Sequence, residues 1–168
     1  MDIKQFNRLQ QAVQTVVDED RAYSEHYIWN DNHSMIIGVE EYSTAWSWDQ
    51  GTWAWGTTTD QVAETNKGRV FQLVCGTGGC LAGTGVVQAG DRLIYAKGEH
   101  LKPGQVTQVE FCVGESGKVH AIENRARKLF GLTNEQAARL FAGGNSAQRI
   151  VSLATEYAAE NGHTLVVI

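Results

Sequence analysis

The chain has 168 residues, of which 42% are hydrophobic and 20% are charged, and its formal net charge is −5 at pH 7. This length and composition suit one domain with one hydrophobic core and exclude wholesale disorder. The acidic balance argues against nonspecific nucleic-acid binding, which depends on neutralising phosphates. No apolar run approaches the roughly 20 residues of a membrane span, and Met1–Gln11 lacks the apolar centre of a secretory signal. With an odd number of cysteines, three, the sequence predicts a cytoplasmic protein with reduced thiols and no membrane contact.

In chain order, the first predicted elements are a helix, two strands, a second helix and a third strand. Ile3–Val17 places apolar residues at three- and four-residue intervals, which is the period of an amphipathic helix. Tyr27–Trp29 and 34–39 predict two short strands around a turn. A short helix is predicted over 61–66, and Arg69–Val74 predicts a strand that leads into a cysteine motif.

Four tryptophans alternate with other residues on either side of Gln50-Gly51. They are Trp46, Trp48, Trp53 and Trp55. A two-residue loop at Gln50-Gly51 would place the inner pair and the outer pair opposite each other, where cross-strand side chains approach most closely. This pattern is similar to designed tryptophan-zipper hairpins. The sequence therefore predicts a Trp-rich hairpin, whose indole face is either covered by helices of the same domain or open as a platform for a ligand or partner protein.

The stretch CGTGGCLAG, which starts at Cys75, combines two cysteines with a glycine-rich turn. Gly76 can turn the chain without a clash, and Thr77 can cap a helix predicted over 78–88. Cys80 would then lie in the first helical turn, where the helix dipole lowers the pKa of an exposed thiol. Apolar residues flank the stretch. We therefore expect four of its residues to be structural, with both thiols buried: Cys75, Gly76, Thr77 and Cys80.

The same stretch carries a family resemblance. The pattern C-G-T-x-x-C-[I/L]-A-G is similar to a motif of small, uncharacterised proteins of bacteria and their bacteriophages. In those proteins a helical segment of the form A-x-x-L-x-G-L-T-x-x-Q-A-x-x-L-F follows some tens of residues later. This chain matches that segment at Ala126, Leu129, Gly131, Leu132, Thr133, Gln136, Ala137, Leu140 and Phe141. The resemblance spans Cys75–Phe141 and implies a phage or prophage origin, but no particular activity.

The rest of the chain predicts two more strands, then helices and a terminal strand. The strands are Arg92–Ala96 and Val106–Val113, and the terminal strand covers 164–168. One helix is predicted over His120–Phe130, the next opens at Thr133 with a capping box, and the last is capped by Asn145 or Ser146. Gly131 and Asn161-Gly162 are the predicted helix stops. The sequence thus predicts a single α+β domain over 1–168, with an antiparallel sheet that includes the Trp-rich hairpin and C-terminal helices packed on that sheet.

The sharpest catalytic hypothesis is a cysteine hydrolase. Cys80 would be the nucleophile, His100 or His120 the base, and backbone N–H groups around Gly78-Gly79 would hold an oxyanion. Against it, a free cysteine is more often simply buried. Zinc binding by Cys75 and Cys80 would need a second Cys or His pair, which does not follow at the expected distance. We therefore predict no metal and no cofactor.

A helix-turn-helix over 125–141 is the nucleic-acid alternative, because two helices flank Gly131 on a basic segment. Residues 118–150 carry six bases and two acids, whereas residues 1–41 carry eight acids and three bases. Such asymmetry either holds two parts of the molecule together or presents a charged face to a partner. Since no catalytic constellation is complete, the leading expectation is a protein that binds a host macromolecule, with a host protein as the partner and no nucleic acid.

Overall fold

A computed structural model describes residues 1–25, 27–29, 36–39, 47–95 and 102–168. The helices in these ranges are α1 (Ile3–Glu25), α2 (Leu81–Gln88), α3 (Ile122–Phe130), α4 (Asn134–Leu140) and α5 (Ala147–Glu160). The strands are β1 (Tyr27–Trp29), β2 (Ile36–Val39), β3 (Ser47–Trp48), β4 (Ala54–Thr65), β5 (Gly68–Gly79), β6 (Arg92–Tyr95), β7 (Val106–Val109), β8 (Phe111–Val113) and β9 (Val119–Ala121). The predicted N-terminal helix is present and runs past Val17, and β1 pairs with β2. No helix in the described ranges is long and apolar enough to cross a lipid bilayer.

In the main sheet, two strands that are almost continuous in sequence pair with different partners. Its strands follow the order β7-β4-β5-β6-β8-β9, and every pair along this path is antiparallel. β7 borders β4 and β8 borders β6, although only Glu110 separates β7 from β8. Glu110 and Phe111 are both exposed whereas Val109 and Cys112 are buried, so the alternation of side chains slips by one residue there. The predicted single strand Val106–Val113 is therefore two strands, which pair with β4 and β6 respectively.

Helix α2 joins this sheet to the other helices. It packs against β5 and β6 as well as against α1 and α3, and its Leu81 and Val86 are fully buried. The apolar stripe of α1, which includes Leu9, Val13 and Val16, is also fully buried, and α5 packs against α1. The predicted α+β domain with C-terminal helices is confirmed, with α2 as a helix in direct contact with the sheet.

Several boundaries of the C-terminal helices match their local signals, but α3 begins at Ile122 and not at the predicted His120, because His120 and Ala121 pair in β9. Gly131 ends α3 in the left-handed conformation, with φ of 66°. Thr133 and Gln136 form the predicted capping box of α4, and the Ser146 side chain accepts a hydrogen bond from the backbone N–H of Arg149 at the start of α5. These caps involve residues three apart in the sequence, which is why the sequence predicts them.

The predicted helix over 61–66 is wrong because these residues lie in a hairpin with the next strand along the chain. Residues 61–65 belong to β4, in which Val62 is opposite Phe71 on β5. The two strands join through a turn at Asn66-Lys67, and Gly68 adopts φ of 95°. Pairing over two long strands therefore outweighs the local helix signals.

The predicted terminal strand over 164–168 is also wrong, although its residues are extended along α1. The backbone N–H groups of Val166 and Ile168 donate to the side-chain oxygens of Gln10 and Gln14, at 3.3 and 2.9 Å. The Gln14 amide in turn donates to the backbone oxygen of Ile168 at 2.9 Å. Glutamine side chains on a helix thus replace the partner strand.

Candidate functional site

The predicted Trp-rich hairpin does not form. β3, which contains Trp48, runs parallel to the end of β5. β4, which contains Trp55, lies antiparallel on the other side of β5. Because the end of β5 separates these strands, Trp48 and Trp53 are not cross-strand partners. Trp46 lies outside the described residues.

Gln50 is the physical reason for this difference, because its side chain is buried rather than exposed in a hairpin loop. Its Oε1 accepts a hydrogen bond from the backbone N–H of Leu81 at 3.2 Å, and its Nε2 donates to the carbonyl oxygens of Leu140 and Ala142 at 3.2 and 3.4 Å. The indole N–H of Trp48 also donates to Oε1, at 3.3 Å. The buried amide fixes the segment against α2 and against the end of α4.

Two of the described tryptophans in this segment pack against the core. Trp48 and Trp53 are partly buried against the hydrophobic cluster. Trp53 also makes an edge-to-face contact with Phe141, at 6.4 Å between ring centroids. Elements of the same domain therefore cover these two indoles.

Trp55 lies on the opposite face of the sheet and lines an open cleft. Its neighbours Ala54 and Gly56 are buried, so the alternation along β4 places the Trp55 side chain away from the core. Gln108 on β7 is directly opposite Trp55 and shares its face. The cleft has a volume of about 400 Å³ and is lined by Asp49, Thr52, Trp55, Thr107 and Gln108. This depression, which we call the Trp55 cleft, is shallow and largely open to solvent.

Hydrogen bonds within the Trp55 cleft leave acceptors in the majority. Gln108 Nε2 donates to Thr52 Oγ1 at 3.4 Å, and Thr107 Oγ1 donates to the backbone oxygen of Gln108 at 3.3 Å. Asp49 Oδ1 accepts a hydrogen bond from the backbone N–H of Gly51 at 2.9 Å, which orients the carboxylate. Among the described residues that line the cleft, Asp49 is the only ionisable one. The cleft thus offers an indole face, one negative charge and several oxygen acceptors.

The cysteine motif forms the junction between β5 and α2. β5 continues through Gly76 and Thr77 to Gly79, so the predicted turn at Gly76 and the predicted cap at Thr77 are wrong. The pairing with β4 shifts register here, between the Thr57–Val74 and Trp55–Gly78 pairs, so this stretch is an irregular part of the strand and not a turn. Cys80 is itself the N-cap residue of α2, and its side chain makes no capping hydrogen bond. Gln50 takes that role, because its Oε1 accepts from the first backbone N–H of the helix.

The Cys80 thiol is shielded from solvent. It is 1% exposed, and its Sγ donates to the backbone oxygen of Trp53 at 3.6 Å. Burial raises the pKa of the Cys80 thiol to about 11, so it is protonated at neutral pH. The predicted burial of Cys80 is confirmed, whereas the side chains of Cys75 and Thr77 lie outside the described part of the chain. We call residues 79–84 the Cys80 corner.

The final glycine of the motif allows a close approach of two backbones. A Cβ atom on Gly83 would overlap the carbonyl oxygen of Trp53, the same atom that the Cys80 thiol contacts. A Cβ atom on Gly79 would meet that oxygen and the Cα of Ala54. The spacing of Cys80 and Gly83 therefore lets the first turn of α2 pack directly against the backbone at the start of β4.

The predicted Cys80–His120 pair is not present. β5, which leads to Cys80, and β9, which contains His120, are three positions apart in the sheet, about 14 Å at ordinary strand spacing. Desolvation by burial, and then the nearby Arg125 charge, lower the pKa of His120. His100 lies outside the described residues. In the part of the chain that the structure describes, no three His, Cys, Asp or Glu side chains converge on a metal site.

The basic C-terminal segment is partly neutralised inside the molecule. Arg125 binds Asp91 through two hydrogen bonds of 2.6 and 3.0 Å, and the Asp91 side chain is 2% exposed. Arg139 contacts Glu156 at 3.4 Å and lies over the ring of Tyr157. A helix-turn-helix would need Arg139 for phosphate contacts, so this engagement counts against the nucleic-acid alternative.

A second surface depression lies across β5, β6, β8 and β9. It has a volume of about 340 Å³ and is lined by Lys67, Arg69, Val70, Ile94, Tyr95, Phe111 and Val119. Phe111 is 44% exposed. This Phe111 groove differs from the Trp55 cleft in its largely apolar lining and its two basic side chains.

Four residues of the Trp55 cleft were not predicted from the sequence: Asp49, Thr52, Thr107 and Gln108. The alternation over 106–113 shows which side chains share a face of that strand. It does not show that β7 lies beside β4 in the register that places Gln108 opposite Trp55. A search for hydroxyl and amide side chains on predicted strands would have included Gln108, but among many others.

The fold and this site define an α+β protein with an open aromatic cleft. No protein-family model matches the chain, and neither the curated proteins nor the solved structures that were compared with it include a match.

Proposed function

We propose that the chain acts by binding a macromolecular partner through the Trp55 cleft, and not by catalysis. The supporting observation is a partly exposed indole on the outer face of the sheet, among polar groups that are open to solvent. Trp55 lies on a strand that pairs on both sides, with β5 and β7, so its backbone is fixed before a partner binds. A fixed tryptophan buries a large area at a low entropic cost, which is why this residue dominates many binding surfaces.

The state of Cys80 favours binding over the cysteine hydrolase. A cysteine nucleophile needs an accessible thiolate within hydrogen-bond distance of a base. Cys80 is buried, its pKa is raised, and its Sγ donates to a backbone oxygen. These are the properties of a structural thiol.

The setting that we propose is a phage-derived protein that binds a host protein in the host cytoplasm. The resemblance of Cys75–Phe141 to small proteins of bacteria and bacteriophages supports this origin. A protein partner is favoured over nucleic acid because Asp49 lies in the cleft and no basic side chain is among its described lining residues, whereas phosphates require cations.

Affinity capture from a bacterial lysate tests the proposal with the unmodified chain, Trp55→Ala and Phe111→Ala. Both substitutions remove a partly exposed aromatic ring from a strand, so Phe111→Ala controls for the loss of apolar surface. We expect a stoichiometric partner with the unmodified chain and with Phe111→Ala, and at least about tenfold less with Trp55→Ala, because truncation of a central tryptophan typically costs about 2 kcal/mol or more.

Circular dichroism establishes that the Trp55→Ala variant is folded, and Gln108→Ala provides a second cleft variant with a smaller change. Equal capture by all variants would contradict the cleft as the binding site. Failure to capture any partner at any salt concentration would contradict the binding function itself.

A further inference from the structure

We infer that the Trp55 cleft takes the guanidinium group of an arginine side chain on the partner protein. This inference rests on the proposed binding function and names the chemical group that the cleft recognises. Three properties of the cleft lead to it: an aromatic face, an excess of hydrogen-bond acceptors, and a single negative charge.

The aromatic face suits a planar cation. Among aromatic side chains, tryptophan has the strongest attraction for a cation over its ring. A guanidinium is planar and weakly hydrated, so it stacks on an indole more readily than an ammonium does. The Trp55 side chain is partly exposed on the outer face of β4, which leaves part of its surface open to such a group.

The hydrogen-bond acceptors of the Trp55 cleft suit a guanidinium group, which only donates hydrogen bonds. A guanidinium has five N–H donors and no acceptor. In the cleft, Asp49 Oδ1 is already held by the N–H of Gly51, and Oδ2 has no hydrogen bond among the described residues. The Gln108 amide donates to Thr52, and the Thr107 hydroxyl donates to a backbone oxygen. The Gln108 side-chain oxygen therefore remains as an acceptor on the face of Trp55. The cleft also holds donors, in the Thr52 hydroxyl, the Trp55 indole N–H and the second amide hydrogen of Gln108, so the charge of Asp49 is what favours a cation over a saccharide.

The charge of the cleft selects the same class of ligand. Asp49 is the only ionisable residue among the described lining residues, and the whole chain has a net charge of −5. A phosphate or carboxylate group would be repelled, whereas a cation would gain a charge-assisted hydrogen bond to Asp49. Because the site is open, this attraction is screened by salt.

Nuclear magnetic resonance can test the inference with two short peptides, acetyl-Gly-Gly-Arg-Gly-Gly-amide and its citrulline analogue. Citrulline has the length and planarity of arginine but no charge. The probe is the indole N–H signal of Trp55, assigned by its disappearance in Trp55→Phe. We expect the arginine peptide to shift this signal in a saturable manner, and the citrulline peptide to bind at least about fivefold more weakly.

Three variants separate the parts of the site. Asp49→Asn retains an acceptor for Gly51 but removes the charge, and should weaken arginine binding about threefold and reduce the preference over citrulline by the same factor. Trp55→Ala should weaken binding about tenfold, read from the backbone amide of Gln108. Phe111→Ala should have no effect, and added salt should weaken the arginine peptide alone.

Equal affinity for the two peptides, or an unshifted Trp55 signal at a saturating excess of the arginine peptide, would overturn the inference. If capture from the lysate still depends on Trp55 in that case, the proposed binding function stands and only its arginine specificity is wrong. If capture does not depend on Trp55, the proposed function itself is wrong.

Discussion

The Cys80 corner and the Trp55 cleft use the same short segment, residues 49–55, in opposite ways. At the corner, the carbonyl oxygen of Trp53 lies against Cys80 and Gly83, and the Gln50 side chain bonds to the backbone of α2. At the cleft, the carboxylate of Asp49 and the indole of Trp55 face an open cavity. One set of polar groups is satisfied inside the protein, and the other is available to a ligand.

This difference shows that the cysteine- and glycine-rich stretch, the most distinctive motif of the sequence, supports the Trp55 cleft from behind and does not itself form the binding site. Close backbone contacts at the Cys80 corner fix residues 49–55 on one side, and pairing of β4 with β5 and β7 fixes Trp55 on the other. A cleft with fixed walls loses less conformational entropy when it binds a ligand. Changes at the corner should therefore alter stability first, and changes at the cleft should alter binding alone.

The largest expected effect is that of Gly83→Ala. A methyl group there would overlap the Trp53 carbonyl oxygen, so α2 must move away from the start of β4. In an exposed helix the same change would stabilise by about 1 kcal/mol, but here overpacking should lower the free energy of unfolding by about 3 kcal/mol. Urea denaturation measures it. Gly144→Ala is the control, because no atom lies within 4 Å of its Cβ position, and it should change stability by less than about 0.5 kcal/mol.

Asp91→Asn should have the next largest effect, because it removes the charge that pairs with Arg125 beyond the far end of α2. The Asp91 side chain is 2% exposed and that of Arg125 is 27% exposed. Breaking a buried pair costs roughly 3–5 kcal/mol, and the partial exposure of Arg125 reduces our expectation to about 2–3 kcal/mol. Glu64→Gln breaks the exposed pair with Arg69 and should cost less than about 0.5 kcal/mol. Similar losses in the two variants would contradict a structural role for the buried pair.

Gln50→Ala should affect both regions, because this side chain joins the Cys80 corner to the segment that lines the cleft. Its removal leaves buried backbone groups of Leu81 and Leu140 without their partner, which should cost about 1–2 kcal/mol in thermal or urea unfolding. Capture of the partner should also weaken, since the wall of the cleft is less fixed. The exposed Gln61→Ala is the control, and a stable Gln50→Ala variant would contradict the role of this amide.

The smallest effect should be the rate at which Cys80 is alkylated in the folded chain. A pKa of about 11 leaves roughly one Cys80 thiol in ten thousand ionised at pH 7. Iodoacetamide should modify Cys80 in the folded chain far more slowly than in the unfolded chain, as read by mass spectrometry. Fast, selective modification of the folded chain would support the hydrolase instead.

The same raised pKa predicts a pH dependence of stability. The unfolded thiol ionises near pH 9, whereas the folded one stays protonated until about pH 11, so this contribution is complete below pH 9 and is lost as the pH rises to about 11. Cys80→Ala should reduce this loss of stability at high pH. Part of the loss should remain, because burial also raises the pKa of the Cys112 thiol, to about 12. An unchanged slope in Cys80→Ala would contradict the raised pKa.

Local signals predicted the elements whose partners are close in the sequence. The left-handed Gly131 and the capping box of Thr133 and Gln136 depend on only a few neighbouring residues. Residues 61–66 and the cap at Thr77 were mispredicted. Both stretches belong to the β4–β5 hairpin. Residues 62–65 pair with partners only three to nine positions away, so local helix signals were misleading there, whereas Thr77 lies near the Trp55–Gly78 pair, which joins residues 23 positions apart.

The candidate site was predicted only in part, because its missed contacts also join residues that are far apart in the sequence. Trp55 belonged to the expected aromatic face, but a two-residue loop at Gln50-Gly51 would have placed it opposite Trp46. The buried Gln50 amide and the β4–β7 register instead placed it opposite Gln108. Neither contact has a local sequence signal, because each depends on residues about 50 or 90 positions away.

Hydrogen–deuterium exchange of the chain with and without its captured partner tests most directly whether the Trp55 cleft is the recognition site. Partner binding should slow exchange of the backbone amides in residues 52–57 and 106–109, which frame the cleft. The Cys80 corner should be unchanged, because it is buried on the core side of residues 49–55, away from a partner in the cleft. Slower exchange confined to the Phe111 groove or to the corner, with none at residues 52–57, would contradict the account.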